Sequence, residues 1–211
     1  MATISQSVAR TAQTHLSTHD EILAPIIQAV GLCTIVPHQN YYQELVGSIV
    51  SQQLSVKATA TIFGRFVDLF GGTFPEPAAI LEKSIEELRS VGLSGQKATY
   101  IRDLAQHVID GQVRFDHLDN LSNDEIIAEL TAVKGIGDWT VHMFLMFCMG
   151  RSDVLPAGDL GIRNGIQKLY GLSSLPSVAD INIIAKEHNW HPYESIACWY
   201  IWQSLDNTPK L

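Results

Sequence analysis

The 211-residue chain is short of cysteine and of charge, and it holds no uninterrupted apolar run long enough to span a membrane. Its cysteines, Cys33, Cys148 and Cys198, are odd in number, far apart and set among apolar neighbours. That spacing excludes a CxxC-type metal site, a disulfide framework and the four thiolates of an iron–sulfur cluster, leaving buried free thiols as the expectation. Charged residues make up only 17% of the chain, too few for a solvated, disordered polymer. Between Ile22 and Val56 the one charged side chain is Glu44, so much of that region must be buried. It is no membrane span, because Pro25, Gln28, Pro37, His38, Gln39 and Asn40 interrupt it. The opening MATISQSVARTAQTH is polar and lacks the apolar core of a signal peptide, which predicts a cytosolic protein.

What the chain does have is helical periodicity almost throughout, with little strand alternation and no internal repeat. Helices are expected near 20–31, 41–52, 55–70, 84–91, 95–110, 122–132, 137–149, 159–170, 177–188 and 192–205. Local punctuation supports them: Gly71-Gly72 as a stop, Ser122-Asn123-Asp124-Glu125 as a capped start, Gly171 as a second stop, and Pro192 in the first turn of the last helix. The class is all-α. The formal net charge of -8 speaks against nucleic acid, whose phosphates attract Lys and Arg. Binding uses a local face, however, and net charge is a global sum.

Four stretches carry the chemistry. In LTAVKGIGDWTVHMFLMF, Leu130 to Phe147, a helix ends near Val133, Lys134-Gly135-Ile136-Gly137 reverses the chain, and a second helix begins at once. Such a turn points main-chain amides outward at a helix start, a phosphate site that needs no positive side chain. In DVLPAGDLGIRNG, Asp153 to Gly165, Asp159 stands at a helix N-cap, where the positive helix end favours a carboxylate. At the lip of a cleft such a group stabilises a developing cation. In GSIVSQQLSVKAT, Gly47 to Thr59, Gln52 and Gln53 make a polar break between two apolar helical runs. They are surface filler, or flat hydrogen-bonding side chains able to occupy a gap in a base stack. WHPYESIACWYIW, Trp190 to Trp202, holds three of the four tryptophans, which are core, or in part a stacking surface for a planar, electron-poor ligand.

Together, in this order and spacing, these pieces resemble the helix-hairpin-helix superfamily of DNA glycosylases. Within it the chain is similar to the alkylation-repair branch, the 3-methyladenine DNA glycosylase II type, from about residue 40 to residue 205. The resemblance implies a two-lobed all-α fold with a cleft between the lobes. The middle lobe would be 42–150, and 1–41 plus 151–211 would form the second, with the catalytic aspartate loop. It implies Asp159 as catalytic residue and Gly135, Ile136, Gly137 and Thr140 as the phosphate-gripping hairpin. Gln53, or else Gln52, would fill the hole left by an extruded nucleotide, and Trp139 and Trp202 would lie in or beside the substrate pocket. A monovalent Na or K ion would sit on the main-chain carbonyls of Thr131, Val133 and Gly135. No iron–sulfur cluster or zinc is expected.

Two absences refine this expectation. Strand-cleaving members of the superfamily carry a lysine two residues past the second hairpin glycine, and here that residue is Trp139, so a monofunctional enzyme is implied. Relatives often have Arg at Glu194 and a basic residue near Gln203, so positive charge is lost from the C-terminal lobe. His188 and His191 are spaced like a zinc pair, but no further ligands lie nearby. The implied function is hydrolysis of the N-glycosidic bond of flipped-out alkylated purines in double-stranded DNA, by a monomer. The implied location is the cytoplasm and nucleoid of a bacterium or archaeon, or a eukaryotic nucleus. The alternative is a non-catalytic helix-hairpin-helix DNA-binding module, against which the retained Asp159 argues. Trp139 argues against a third option, a bifunctional oxidised-base glycosylase.

Overall fold

Serine and aspartate side chains cap seven of the twelve α-helix starts among the described residues of the computed structural model, which describes residues 3–205. The α-helices among them are α1 (Gln6–His19), α2 (Ala24–Val30), α3 (Tyr41–Ser51), α4 (Val56–Leu69), α5 (Pro77–Glu82), α6 (Ile85–Ser90), α7 (Gly95–Ile109), α8 (Asn123–Thr131), α9 (Asp138–Met143), α10 (Leu160–Leu169), α11 (Val178–Glu187) and α12 (Glu194–Ser204). Ser122 caps α8 in a reciprocal box with Glu125, satisfying two amides that a helix start leaves unpaired. No β-strand occurs among the described residues, whose one bridge pairs Thr3 with Arg151. None of their helices is long and apolar enough to cross a membrane.

Several boundaries differ from expectation. Helix α1 was not anticipated because its buried face is only Ala9, Ala12 and Leu16, too small an apolar stripe to stand out in a polar segment. The short α5 begins at Pro77, which suits a first helical turn but reads in sequence as a breaker. The expected helix at 137–149 is α9 followed by one wide π-type turn, Phe144–Cys148. Pro192 lies outside α12, whose N-cap is Tyr193.

The chain divides into two compact units. Among the described residues, one is Asn40–Phe144, and the other combines 3–39 with 145–205. In the first, α3 packs on α4 and α7, α5 and α6 lie on α7, and α8 meets α9. Leu45, Ile49, Phe66, Leu104, Ile126 and Leu130 are fully buried there. The second unit is built around α12, which contacts α1, α2 and α10. Every residue of α12 from Ser195 to Trp202 is buried, as befits a helix apolar on all sides. Its aromatic density is therefore core first.

Asp20, 0% exposed, ties this second unit together. Its Oδ1 accepts the Ile22 and Leu23 amides, each at 3.0 Å, and so starts the turn into α2. Its Oδ2 accepts the Trp190 indole N–H at 2.7 Å and the Tyr170 hydroxyl. Burial first, and then this carboxyl, push the Tyr170 phenol far above its ordinary range. Two chain ends some 150 residues apart are thereby joined through one buried acceptor. Asp20→Ala leaves the Trp190 and Tyr170 donors buried without a partner and is expected to cost about 3 kcal/mol of stability, read from the urea unfolding midpoint.

Candidate active site

In the unit built around α12, the loop through Pro156, Ala157 and Gly158 closes with a 2.9 Å bond from the Asp159 amide to the Pro156 carbonyl. Asp159 then caps α10: its Oδ1 accepts the Ile162 amide at 2.8 Å. The same oxygen accepts the indole N–H of Trp202 at 3.2 Å. Asp159 is 9% exposed and Trp202 only 1%. Trp202, expected in or beside a substrate pocket, thus offers no open ring face; its indole holds Asp159 and tilts against Phe147, with ring centroids 5.8 Å apart.

Glycines on α10 make this contact possible. A Cβ at Gly165 would lie 2.3 Å from Cγ2 of Ile201 on α12. One turn earlier, a Cβ at Gly161 would lie 3.0 Å from both Asp159 Oδ1 and Trp202 Nε1. Sequence reasoning missed both as site residues, although their i, i+4 spacing was a readable signal of close helix approach. Arg163 anchors the same helix by donating to the Pro176 carbonyl at 2.9 Å. Burial first, then the nearby Asp159 and Glu194 carboxylates, hold the Cys198 thiol well above its ordinary range, so it is inert. His188 and His191 have separate partners: His188 lies 3.6 Å from Asp20, and His191 2.9 Å from Glu194 Oε1.

In the other unit, α8 and α9 form the hairpin. Val133 and Ile136 are buried and pin the turn into the core. Lys134 is held twice by Asp103, through its amide at 2.9 Å and its ammonium at 3.3 Å. The amides of Gly135 and Gly137 make no hydrogen bond among the described residues, and they stand at the start of α9. Thr140 is buried, while Trp139 is 49% exposed. Gln52 and Gln53 end α3 in the same unit and behave differently. Gln52 donates its side-chain amide to the Gly135 carbonyl at 2.8 Å. Gln53 is exposed, with φ +58, a left-handed conformation that costs a side-chain-bearing residue about 1 kcal/mol.

Of the carbonyls expected to hold a monovalent cation, that of Val133 accepts the Ile136 amide at 3.2 Å. That of Gly135 accepts the Gln52 side-chain amide at 2.8 Å, so each of these two oxygens keeps a second lone pair.

The two hairpin glycines are not equivalent. Gly135 has φ +86, and a Cβ there would meet the Tyr100 ring at 2.1 Å. Gly137 has φ −105 and nothing within 4 Å of the Cβ position. Gly135→Ala should therefore lower folding stability by about 2 kcal/mol or more, and Gly137→Ala by less than about 0.5 kcal/mol, in parallel urea titrations.

The model of the HhH-GPD superfamily base excision DNA repair proteins matches residues 46–188, more than half of the chain. DNA-3-methyladenine glycosylase 1 of Schizosaccharomyces pombe is 36% identical over 200 residues, covering 92% of this chain and 86% of its own. The alkylbase DNA glycosidase-like protein mag2 of the same yeast is 33% identical, covering 95% and 93%. A crystal structure of a DNA-3-methyladenine glycosidase from Bacillus halodurans superposes with a TM-score of 0.83 at 38% identity, over 92% of this chain and 88% of that one. The Schizosaccharomyces pombe 3-methyladenine DNA glycosylase Mag1, in complex with abasic DNA, gives 0.78 at 34% identity, over 95% and 99%. All-α in architecture, matched by the family model over residues 46–188 and by relatives more than 30% identical over nearly its whole length, the chain belongs to the HhH-GPD superfamily of base excision DNA repair proteins.

Proposed function

We propose that the protein is a monofunctional DNA glycosylase of base excision repair, which hydrolyses the N-glycosidic bond of alkylated purines flipped out of duplex DNA. The observation that carries this reading is Asp159, a buried carboxyl fixed by the Ile162 amide and the Trp202 indole through one oxygen. The relatives named above as 3-methyladenine glycosylases support the substrate class.

The chemistry suits a single carboxylate. Hydrolysis of a sugar ether calls for a general acid beside a second carboxylate. An N-alkylated purine is already cationic and departs without protonation, so the work left is to stabilise the sugar cation and supply water. Asp159 does the first through its charge and the second by orienting the attacking water. Because Oδ1 is fixed before the substrate arrives, little reorganisation is needed as positive charge develops at the sugar. The damaged base is poorly stacked and leaves the helix at lower cost than an intact one. Trp139, half exposed at the start of α9, offers an aromatic face to such a cationic ring. It also occupies the place of the Schiff-base lysine, so the strand is left uncut after base release.

The Gly135 and Gly137 amides receive phosphates of the DNA beside the lesion. The folded chain alone gives no reason for glycine at 137, where a Cβ would point into open space; a phosphate lying close against that backbone gives one. The protein acts as a monomer, without a cofactor, wherever the genome lies.

The test measures release of methylated purines from alkylated duplex DNA by wild type and Asp159→Asn side by side. Asparagine caps a helix as well as aspartate and can keep both acceptor contacts, so the variant separates chemistry from folding. Release should fall at least about 100-fold while duplex affinity changes less than about 3-fold. Binding without release by wild type would reduce the protein to a DNA-binding module.

A further inference from the structure

Gln53 holds a left-handed φ of +58 at an exposed position, with no glycine to make that conformation easy. Something around it must over-determine the backbone, and α7 supplies it. The Lys97 ammonium donates to the Val50 carbonyl at 2.8 Å and to the Gln52 carbonyl at 2.6 Å. These are the last carbonyls of α3, at the negative end of that helix, where a cation is favoured. From the other side, the Gln52 side chain ties the turn to the Gly135 carbonyl. One turn along α7, the Tyr100 ring fills the space Gly135 leaves open, and after another turn Asp103 holds Lys134. Residues 97, 100 and 103 form one stripe on one helix, joining the Gln53 turn and the hairpin into a single rigid piece. Lys97 is half-buried, and desolvation lowers its pKa, as suits an ammonium used inside the fold rather than on a phosphate.

We propose that Lys97 is a positioning residue for lesion recognition: its ammonium locks the turn that presents Gln53 to the gap in the base stack, in fixed register with the phosphate-binding hairpin. The inference rests on the DNA glycosylase reading above and deepens it.

The experiment uses the full chain and a duplex holding a tetrahydrofuran abasic-site analogue beside 2-aminopurine, whose fluorescence reports unstacking without any chemistry. The same proteins are assayed for purine release from alkylated duplex. Lys97→Met should weaken binding to the abasic duplex about 10-fold and blunt the fluorescence rise, since the turn then escapes its strained conformation. Lys97→Arg, which keeps the cation, should stay within about 3-fold of wild type. In a Gln53→Ala background Lys97→Met should add almost nothing, because the side chain it positions is gone. Penalties that multiply in the double variant, or a Lys97→Met fluorescence rise equal to wild type, overturn the proposal. Thermal midpoints check folding; if Lys97→Met does not fold, Lys97→Gln takes its place, and wild-type fluorescence from that variant overturns the proposal equally. Wild type that unstacks but never releases base refutes the catalytic reading and leaves this inference standing on fluorescence. Wild type that does neither overturns both.

Discussion

One carboxyl oxygen, Asp159 Oδ1, receives both the amide that begins α10 and the indole that ends α12, and the surrounding unit is arranged so that both can reach it. The two helices must pack unusually close, which Gly161 and Gly165 permit. Helix α12 must be apolar on every side, because it runs through the core rather than along its surface. The loop before α10 must be fixed at its far end too: Ser195 Oγ donates to the Arg151 carbonyl at 2.7 Å and accepts the Val154 amide at 3.0 Å. What looks like a run of aromatic residues is thus a positioning frame for one acid. On the reading proposed above, the reaction passes through a sugar cation, and a carboxylate already held in place stabilises that charge without first being reoriented.

The unit that carries the hairpin follows the same logic with backbone in place of a side chain. Gly135 is required by the fold, since its φ of +86 and the Tyr100 ring both exclude a Cβ. Gly137 is not required by anything around it. Of the two glycines in this short motif, the first therefore has a cause internal to the protein, and for the second the reading proposed above supplies one in a bound phosphate. Helix α7 links the internal cause to the Gln52–Gln53 turn, so that hairpin and turn cannot move independently.

Much of this was legible in the sequence because the signals are local. The Ser122–Glu125 box, the glycine stops after α4 and α10, and the Asp159 cap all act within four residues of themselves. The separate fates of Gln52 and Gln53 were not legible. They depend on a lysine and a glycine more than 40 residues away, whose positions only the packed helices bring together. Nor was the burial of Trp202. Aromatic density signals core and pocket alike, and the choice is made by a hydrogen bond to a residue 43 positions back. Helix α1 escaped notice for the opposite reason: three small apolar residues are a faint stripe, and its stability comes from docking rather than from its own pattern.

Acidity is the remaining constraint, and it acts on how such a chain holds a polyanion. Its net charge is -8, and several of its 14 basic residues are committed internally. Lys97 and Arg163 donate to loop and helix-end carbonyls, as does Arg102, which reaches those of Leu81 and Lys83, and Arg151 is only 4% exposed. Four cations thus serve the fold, and on a chain of net charge -8 the displacement of counterions from a duplex, the main source of sequence-independent affinity, is correspondingly weaker. Main-chain amides at the hairpin bind a phosphate with partial charges in fixed directions, so they reward a particular backbone geometry more than charge density alone. For a protein reading damaged bases, weak general adhesion has a direct consequence. Discrimination then falls on what the lesion changes, namely the lower cost of extruding a poorly stacked base and, on the inference drawn above, the fit of Gln53 into the space it leaves. On that inference, the acidity of the chain and the rigid mounting of Gln53 work toward the same end.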